Sequence, residues 1–180
     1  MVSGGDYSKC PIADFSQVIA LDRNNVRALV TRGNLYQAQM EFDHALQDYN
    51  QAIKLNPNSA DLFLTRGDFY QETGESDRAL ADFDHAVKLD PNKAAAAFNN
   101  RGSMYAGKRQ YERAIVEYSE SIKAKPSAVA YANRGFTYLK ASKYGLAIGD
   151  LDEAIRLDPT DTSALLNRSF AKQALDGGKK

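Results

Sequence analysis

The stretch ADLFLTRGDFYQETGESDRALADFDHAVKLDP, residues 60–91, decides the fold. Phe63, Gly67 and Tyr70 stand four and three apart, so they share one face of a helix. Ala79, Phe83 and Ala86 repeat that spacing on a second helix, and Pro91 stops it by removing an amide donor and crowding the preceding turn. Outward from here the pattern recurs. Gly33, Gly67, Gly102 and Gly135 are 34, 35 and 33 residues apart, and Pro57, Pro91, Pro126 and Pro159 keep the same intervals. The insertion and the deletion therefore fall between a proline and the next glycine. Those are connectors, where an extra residue does not turn a packed helical face by about 100°.

Each unit opens on a large residue (Leu29, Phe63, Phe98, Tyr131), then the glycine, then Tyr36, Tyr70, Tyr105 or Tyr138. The second face is Ala45, Ala79, Ala114 and Ala147, followed by Tyr49, Phe83, Tyr118 and Leu151, then Ala52, Ala86, Ser121 and Ala154. Small residues on both helices predict close approach of an antiparallel pair. The large-x-x-x-Gly-x-x-Tyr, Ala-x-x-x-aromatic, terminal-Pro pattern resembles the tetratricopeptide repeat, matched four times from Val26 to Pro159. It departs from that pattern in having no Trp and in placing Arg before the glycine.

The resemblance implies an all-α fold, a right-handed superhelical α-solenoid of antiparallel helix pairs, serving as a non-enzymatic protein-interaction scaffold. The expected organisation is a flexible segment 1–10, a half repeat 11–25 equivalent to a second helix, and repeats 26–59, 60–94, 95–127 and 128–161. A capping helix 162–175 and a flexible tail 176–180 follow. In the cap, Ser169 and Lys172 replace the glycine and tyrosine, as suits a last helix that faces water. The half repeat at the other end keeps Ile12, Phe15, Val18 and Ile19, a core-like face. Four readings stay open for it: residues 1–9 fold back as a cover, the chain is a fragment of a longer array, two copies pair there, or the helix is simply frayed and exposed without function.

Composition narrows the function. The 180 residues carry 23 Lys and Arg against 23 Asp and Glu, so no net field draws the chain to nucleic acid or an anionic membrane. No apolar run reaches the roughly 20 residues of a membrane span, and the first ten residues lack a secretory signal pattern. The expected location is cytoplasmic, or periplasmic if a leader was removed. Cys10 alone rules out an internal disulfide, and its position before Pro11 reads as inert. His44 and His85 read as surface residues out of register with each other. No phosphate-binding, zinc-protease or serine-hydrolase motif occurs, so no enzyme activity, cofactor or metal is expected.

Two sets of residues remain. Arg32, Arg66, Arg101, Arg134 and Arg168 all precede the glycine column; Asp14, Asp48, Asp82, Glu117 and Asp150 all precede the aromatic column. Each Arg is nearly equidistant in sequence from two acids. Pairing each acid with the following Arg leaves no member unmatched, which predicts a ladder of ion pairs between repeats. The second set is the first-helix surface that the resemblance makes concave, expected to bind a peptide segment of a partner protein. It holds Asn34, Asp61, Asp68 and Glu72 early, then Asn99, Asn100 and Ser103, then Asn133, Phe136, Leu139, Asn167 and Phe170. Acid dominates early and apolar surface late, so a ligand with basic groups toward one end and apolar groups toward the other is expected. The column Asn100, Asn133, Asn167 resembles the asparagine ladder by which some family members hold a peptide backbone. The two-carboxylate clamp of the family is disfavoured, because its cationic sites hold Val30, Ala96 and Asn100. Self-assembly through the uncapped N-terminal helix, and a targeting role inside a larger enzyme, are the alternatives.

Overall fold

A computed structural model describes residues 11–177. Among them the chain forms α1 Pro11–Leu21, α2 Val26–Ala38, α3 Phe42–Leu55, α4 Ala60–Glu72, α5 Ser76–Leu89, α6 Ala94–Gly107, α7 Tyr111–Ala124, α8 Ala128–Lys140, α9 Tyr144–Leu157 and α10 Thr162–Gly177, with a 3-10 turn at Pro91–Lys93 and no strand. The fold class is an all-α solenoid of antiparallel helix pairs. Helices α3, α5, α7 and α9 each end two residues before a proline of the repeat. The last helix runs to Gly177, so Asp176 is helical and not part of a tail. Cys10 and the segment before it lie outside the described residues.

The chain divides into two compact units, Met1–His85 and Ala86–Lys180, with the boundary inside α5. In the first unit, Leu29, Ala52 and Leu62 form a core joined by Ile19, Val26 and Ile53. In the second, α10 lays Ala164 and Ala171 against Ala147, Leu151 and Ala154 of α9.

Glycine sets the spacing inside each hairpin. A Cβ built on Gly33 would lie 2.7 Å from Tyr49 Cε1; on Gly67, 2.5 Å from Phe83 Cε1; on Gly102, 2.7 Å from Tyr118 Cε1; on Gly135, 2.8 Å from Leu151 Cγ. The large side chain of the second helix thus sits flat on a backbone that has no side chain in the way.

The turns share one hydrogen-bond pattern. In α2–α3 the Met40 amide donates to the Gln37 carbonyl at 2.9 Å and the Glu41 amide to the Tyr36 carbonyl at 2.8 Å. Gly74 and Glu75, Arg109 and Gln110, and Ser142 and Lys143 donate in the same way. This Schellman closure requires one residue at positive φ. Met40, Gly74, Arg109 and Ser142 supply it at 62°, 83°, 58° and 58°.

The arginine ladder is present, but its rungs run within hairpins and not between repeats. Nε and Nη2 of Arg32 donate to the Asp48 carboxylate at 2.8 and 2.7 Å. Arg66 grips Asp82 and Arg134 grips Asp150 through the same two nitrogens, and Arg101 Nη2 reaches Glu117 at 2.9 Å. The glycine breaks the symmetry that sequence spacing leaves. Each acid precedes the side chain seated on that glycine, so the closest helix approach in the hairpin delivers it to the arginine. Nη1 then reaches back to the preceding second helix: Arg32 to Ser16 at 3.0 Å, Arg66 to Asn50 at 2.6 Å, Arg134 to Ser119 at 2.9 Å, Arg168 to Asp152 at 2.9 Å. One guanidinium therefore ties three helices. Rings flank it, with Arg66 5.7 Å from the centroids of Phe63 and Tyr70, and Arg134 5.8 and 5.9 Å from Tyr131 and Tyr138. The carboxylate hydrogen bonds raise the guanidinium pKa of Arg32, Arg66 and Arg134 above its ordinary value, against the opposing effect of burial. The expected Asp14–Arg32 and Asp150–Arg168 pairs do not form. Asp14 is exposed and without an ion-pair partner among the described residues, and Arg168 meets Asp152 instead.

Candidate functional site

Buried hydroxyls decide what the first-helix face of each unit presents. In the first unit Tyr49, seated on Gly33, passes its ring through the hairpin until Oη lies 2.7 Å from both Asn34 Oδ1 and Gln37 Oε1. Gln37 Nε2 in turn donates to Glu72. Burial, with Glu72 and Asp48 adding to it, pushes the Tyr49 phenol far above its ordinary value. Two of the expected contact residues, Asn34 and Glu72, thus belong to a network that joins α2, α3 and α4. It borders a small cleft of about 290 Å³. Asp61 and Asp68 are exposed on α4. The Thr31 and Thr65 hydroxyls donate to carbonyls one turn back, at Arg27 and Asp61, so toward a ligand each can only accept.

In the second unit Tyr118 repeats the device. Its hydroxyl lies 3.1 Å from Ser103 Oγ, which itself donates to the Asn99 carbonyl, so Tyr118 is the donor. Asn133 Nδ2 donates to Asn99 Oδ1 at 3.1 Å, linking α8 to α6. Asn133 therefore shares its amide with a neighbouring helix, while Asn167 lines the cleft formed beside α10. Asn100 stands one residue after Asn99, half-buried on α6.

Leu151 then replaces the tyrosine, no hydroxyl reaches the face, and the residue after the glycine becomes Phe136. It is 40 % exposed, and Phe170, its counterpart on α10, is 60 % exposed. These two rings, with Leu139, Tyr144 and Lys140, line an open cleft of about 620 Å³ between α8 and α10. On its other side Phe136 lines a second cleft of about 330 Å³ with Ala106, Gly107, Arg109 and Tyr111. Lys140 Nζ stands 5.0 Å from the Phe136 centroid. Exposed aromatic carbon beside a lysine ammonium suits apolar side chains of a ligand.

Several of these groups escape a reading by columns. Tyr against Phe or Leu at one buried position sets the chemistry one helix away. The polar residues Ser16, Asn50, Ser119 and Asp152, two after each ladder acid, form a column of their own that nothing but the Nη1 bonds reveals. Arg109 enters its cleft from a turn and Tyr144 from the first position of α9, where periodicity gives little direction. His44 stacks on Tyr36 at 4.9 Å and His85 on Phe63 at 4.3 Å, and both remain exposed.

Models of the tetratricopeptide repeat match the chain over residues 26–59, 48–81, 95–127 and 128–161. No curated protein sequence matches it. Similar solved structures include YrrB, described as a TPR protein with an unusual peptide-binding site, at 24% identity over 88% of this chain and 81% of that one, TM-score 0.65. PilW, a widely conserved type IV pilus biogenesis factor, is 23% identical over 93% of this chain and 78% of its own, TM-score 0.79. The C-terminal part of a TPR repeat-containing protein from Cytophaga hutchinsonii is 20% identical over 94% and 67%, TM-score 0.77. At these identities the likeness is one of fold.

Proposed function

This chain belongs to the tetratricopeptide repeat family, and we propose from that premise that it is a non-enzymatic scaffold whose second unit holds a peptide segment of a partner protein on the α8–α10 face. Repeats of this family and the solved structures of its fold support protein interaction in general. The observation that carries the finer reading is the uncovered pair Phe136 and Phe170 over a cleft of about 620 Å³. Neither ring is needed to fill the core, whose α9–α10 layer is closed by Ala147, Leu151, Ala154, Ala164 and Ala171. Aromatic anchors set in a concave surface are where binding energy concentrates. The first unit, with Asp61, Asp68 and the Gln37–Glu72 contact, offers a separate polar face suited to basic groups. The non-enzymatic part of the reading rests on the family, whose repeats typically serve as protein-interaction modules.

Selection of peptides from a random displayed library against the full chain tests it. Selected peptides should carry apolar side chains, and Phe136→Ala with Phe170→Ala should weaken them by at least about tenfold, near 1.4 kcal/mol. Affinity untouched by both substitutions would place the ligand elsewhere.

A further inference from the structure

We infer that the two ends of this chain bind one another between copies, α1 of one copy docking on α10 of the next as a mixed helix pair held by Asp14 and Arg168. Arg32, Arg66 and Arg134 each use two edges of the guanidinium, Nε with Nη2 for the acid of their own hairpin and Nη1 for the preceding helix. Arg168 has the second bond, to Asp152, and not the first. Its Nε–Nη2 edge is unpartnered among the described residues, and so is the Asp14 carboxylate, which occupies the column that fills that edge in the internal hairpins.

The apolar columns tell the same story. Phe15 stands in the column of Tyr49 and Val18 in that of Ala52, yet α1 buries none of its residues and Val18 is 40 % exposed. On α10, Leu165 is 37 % exposed where its counterpart Leu29 is 2 % exposed. Among the described residues, α1 has the pattern of a second helix and α10 that of a first. Charge agrees: the unit through His85 carries thirteen acids and seven bases, the unit from Ala86 ten acids and sixteen bases, so unlike units of two copies attract. Ser169 stands where a glycine seats the ring, and Pro11 where an alanine does. The mixed pair is accordingly wider than an internal hairpin, and association is reversible. Because it joins two different surfaces, the contact is heterologous.

Sedimentation velocity of the full chain over a range of concentrations and salt tests the contact. Average mass should rise with concentration at low salt and fall as salt is added. Asp14→Arg and Arg168→Asp should each weaken association by about tenfold or more, since each sets like charges against one another. An equimolar mixture of the two variants should associate again, because every contact between unlike variants joins opposite charges. Circular dichroism checks that both stay helical, and Val18→Gln, at an exposed position, should weaken association independently of charge. A chain that stays monomeric throughout, or one whose association ignores all three substitutions, overturns the inference.

Discussion

Tyr49 keeps its proton where an exposed tyrosine begins to lose it. Its burial, reinforced by Glu72 and Asp48, raises the folded-state value above the ordinary 10.0, and burial shifts Tyr118 in the same direction. The folded form therefore holds the proton more tightly than the unfolded chain does. Stability from this source is complete below about pH 10 and is lost as pH climbs beyond it. Urea midpoints should stay level from about pH 7 to 9 and then fall. Tyr49→Phe should fall less steeply, at the cost of the contacts to Asn34 and Gln37; an equal fall would assign the alkaline sensitivity to another group. Met40 offers a residue-scale gain. Its φ of 62° strains an L side chain by about 1–2 kcal/mol, and the side chain is exposed, so nothing is lost with it. Glycine there costs about 0.5–1 kcal/mol of backbone entropy, which leaves a net stabilisation of about 0.5–1 kcal/mol for Met40→Gly. Gly74→Ala should move the midpoint the other way. Of the four positive-φ turns only Gly74 is legible in the sequence, since Met40, Arg109 and Ser142 are residues that the closure tolerates without announcing it.

At the scale of the helix pair, a glycine matters only where a side chain lies on it. Gly67→Ala would drive a Cβ to 2.5 Å from the Phe83 ring and should cost about 1–3 kcal/mol as α4 and α5 part. Gly149, exposed on α9 with nothing within 4 Å of an added Cβ, should instead stabilise on change to Ala by about 0.5–1 kcal/mol. If both thermal midpoints moved alike, helix propensity and not packing would be the controlling term. The ladder is judged by the same measurement. Arg134→Met leaves Asp150, 11 % exposed at its side chain, without its partner inside the α8–α9 hairpin and should cost about 3–5 kcal/mol. The solvent-facing Arg156–Glu153 pair is the control, with little shift expected on removal of Arg156. Existence of the hairpins, the glycine column and eight of the ten expected ladder members were legible as periods of 33 to 35 residues, while Asp14 and Arg168 stand outside the rungs. Direction of pairing was not, because nearly equal spacing on both sides of each arginine is resolved by the depth at which a side chain settles on a glycine.

For the molecule as a whole, equal numbers of opposite charges concealed an acidic unit and a basic one, and the two uncovered helices lie one in each. Local stability should follow cover. Helix α3 buries Ala45, Tyr49 and Ala52 almost completely, whereas α1, in the same unit, buries nothing. Amide hydrogens of α1 should therefore exchange well before those of α3 in dilute solution, by local opening that leaves the rest of the unit intact. The end-to-end contact adds a second condition. As concentration rises, α1 is covered by α10 of another copy, so its exchange should slow in the wild-type chain and stay fast in Asp14→Arg. Exchange measured by mass spectrometry at two concentrations separates the causes. Protection of α1 equal to that of α3 in dilute solution would mean that its apolar face is already covered without a second copy. Protection that rises equally in both chains would mean that cover comes from a contact in which Asp14 has no part.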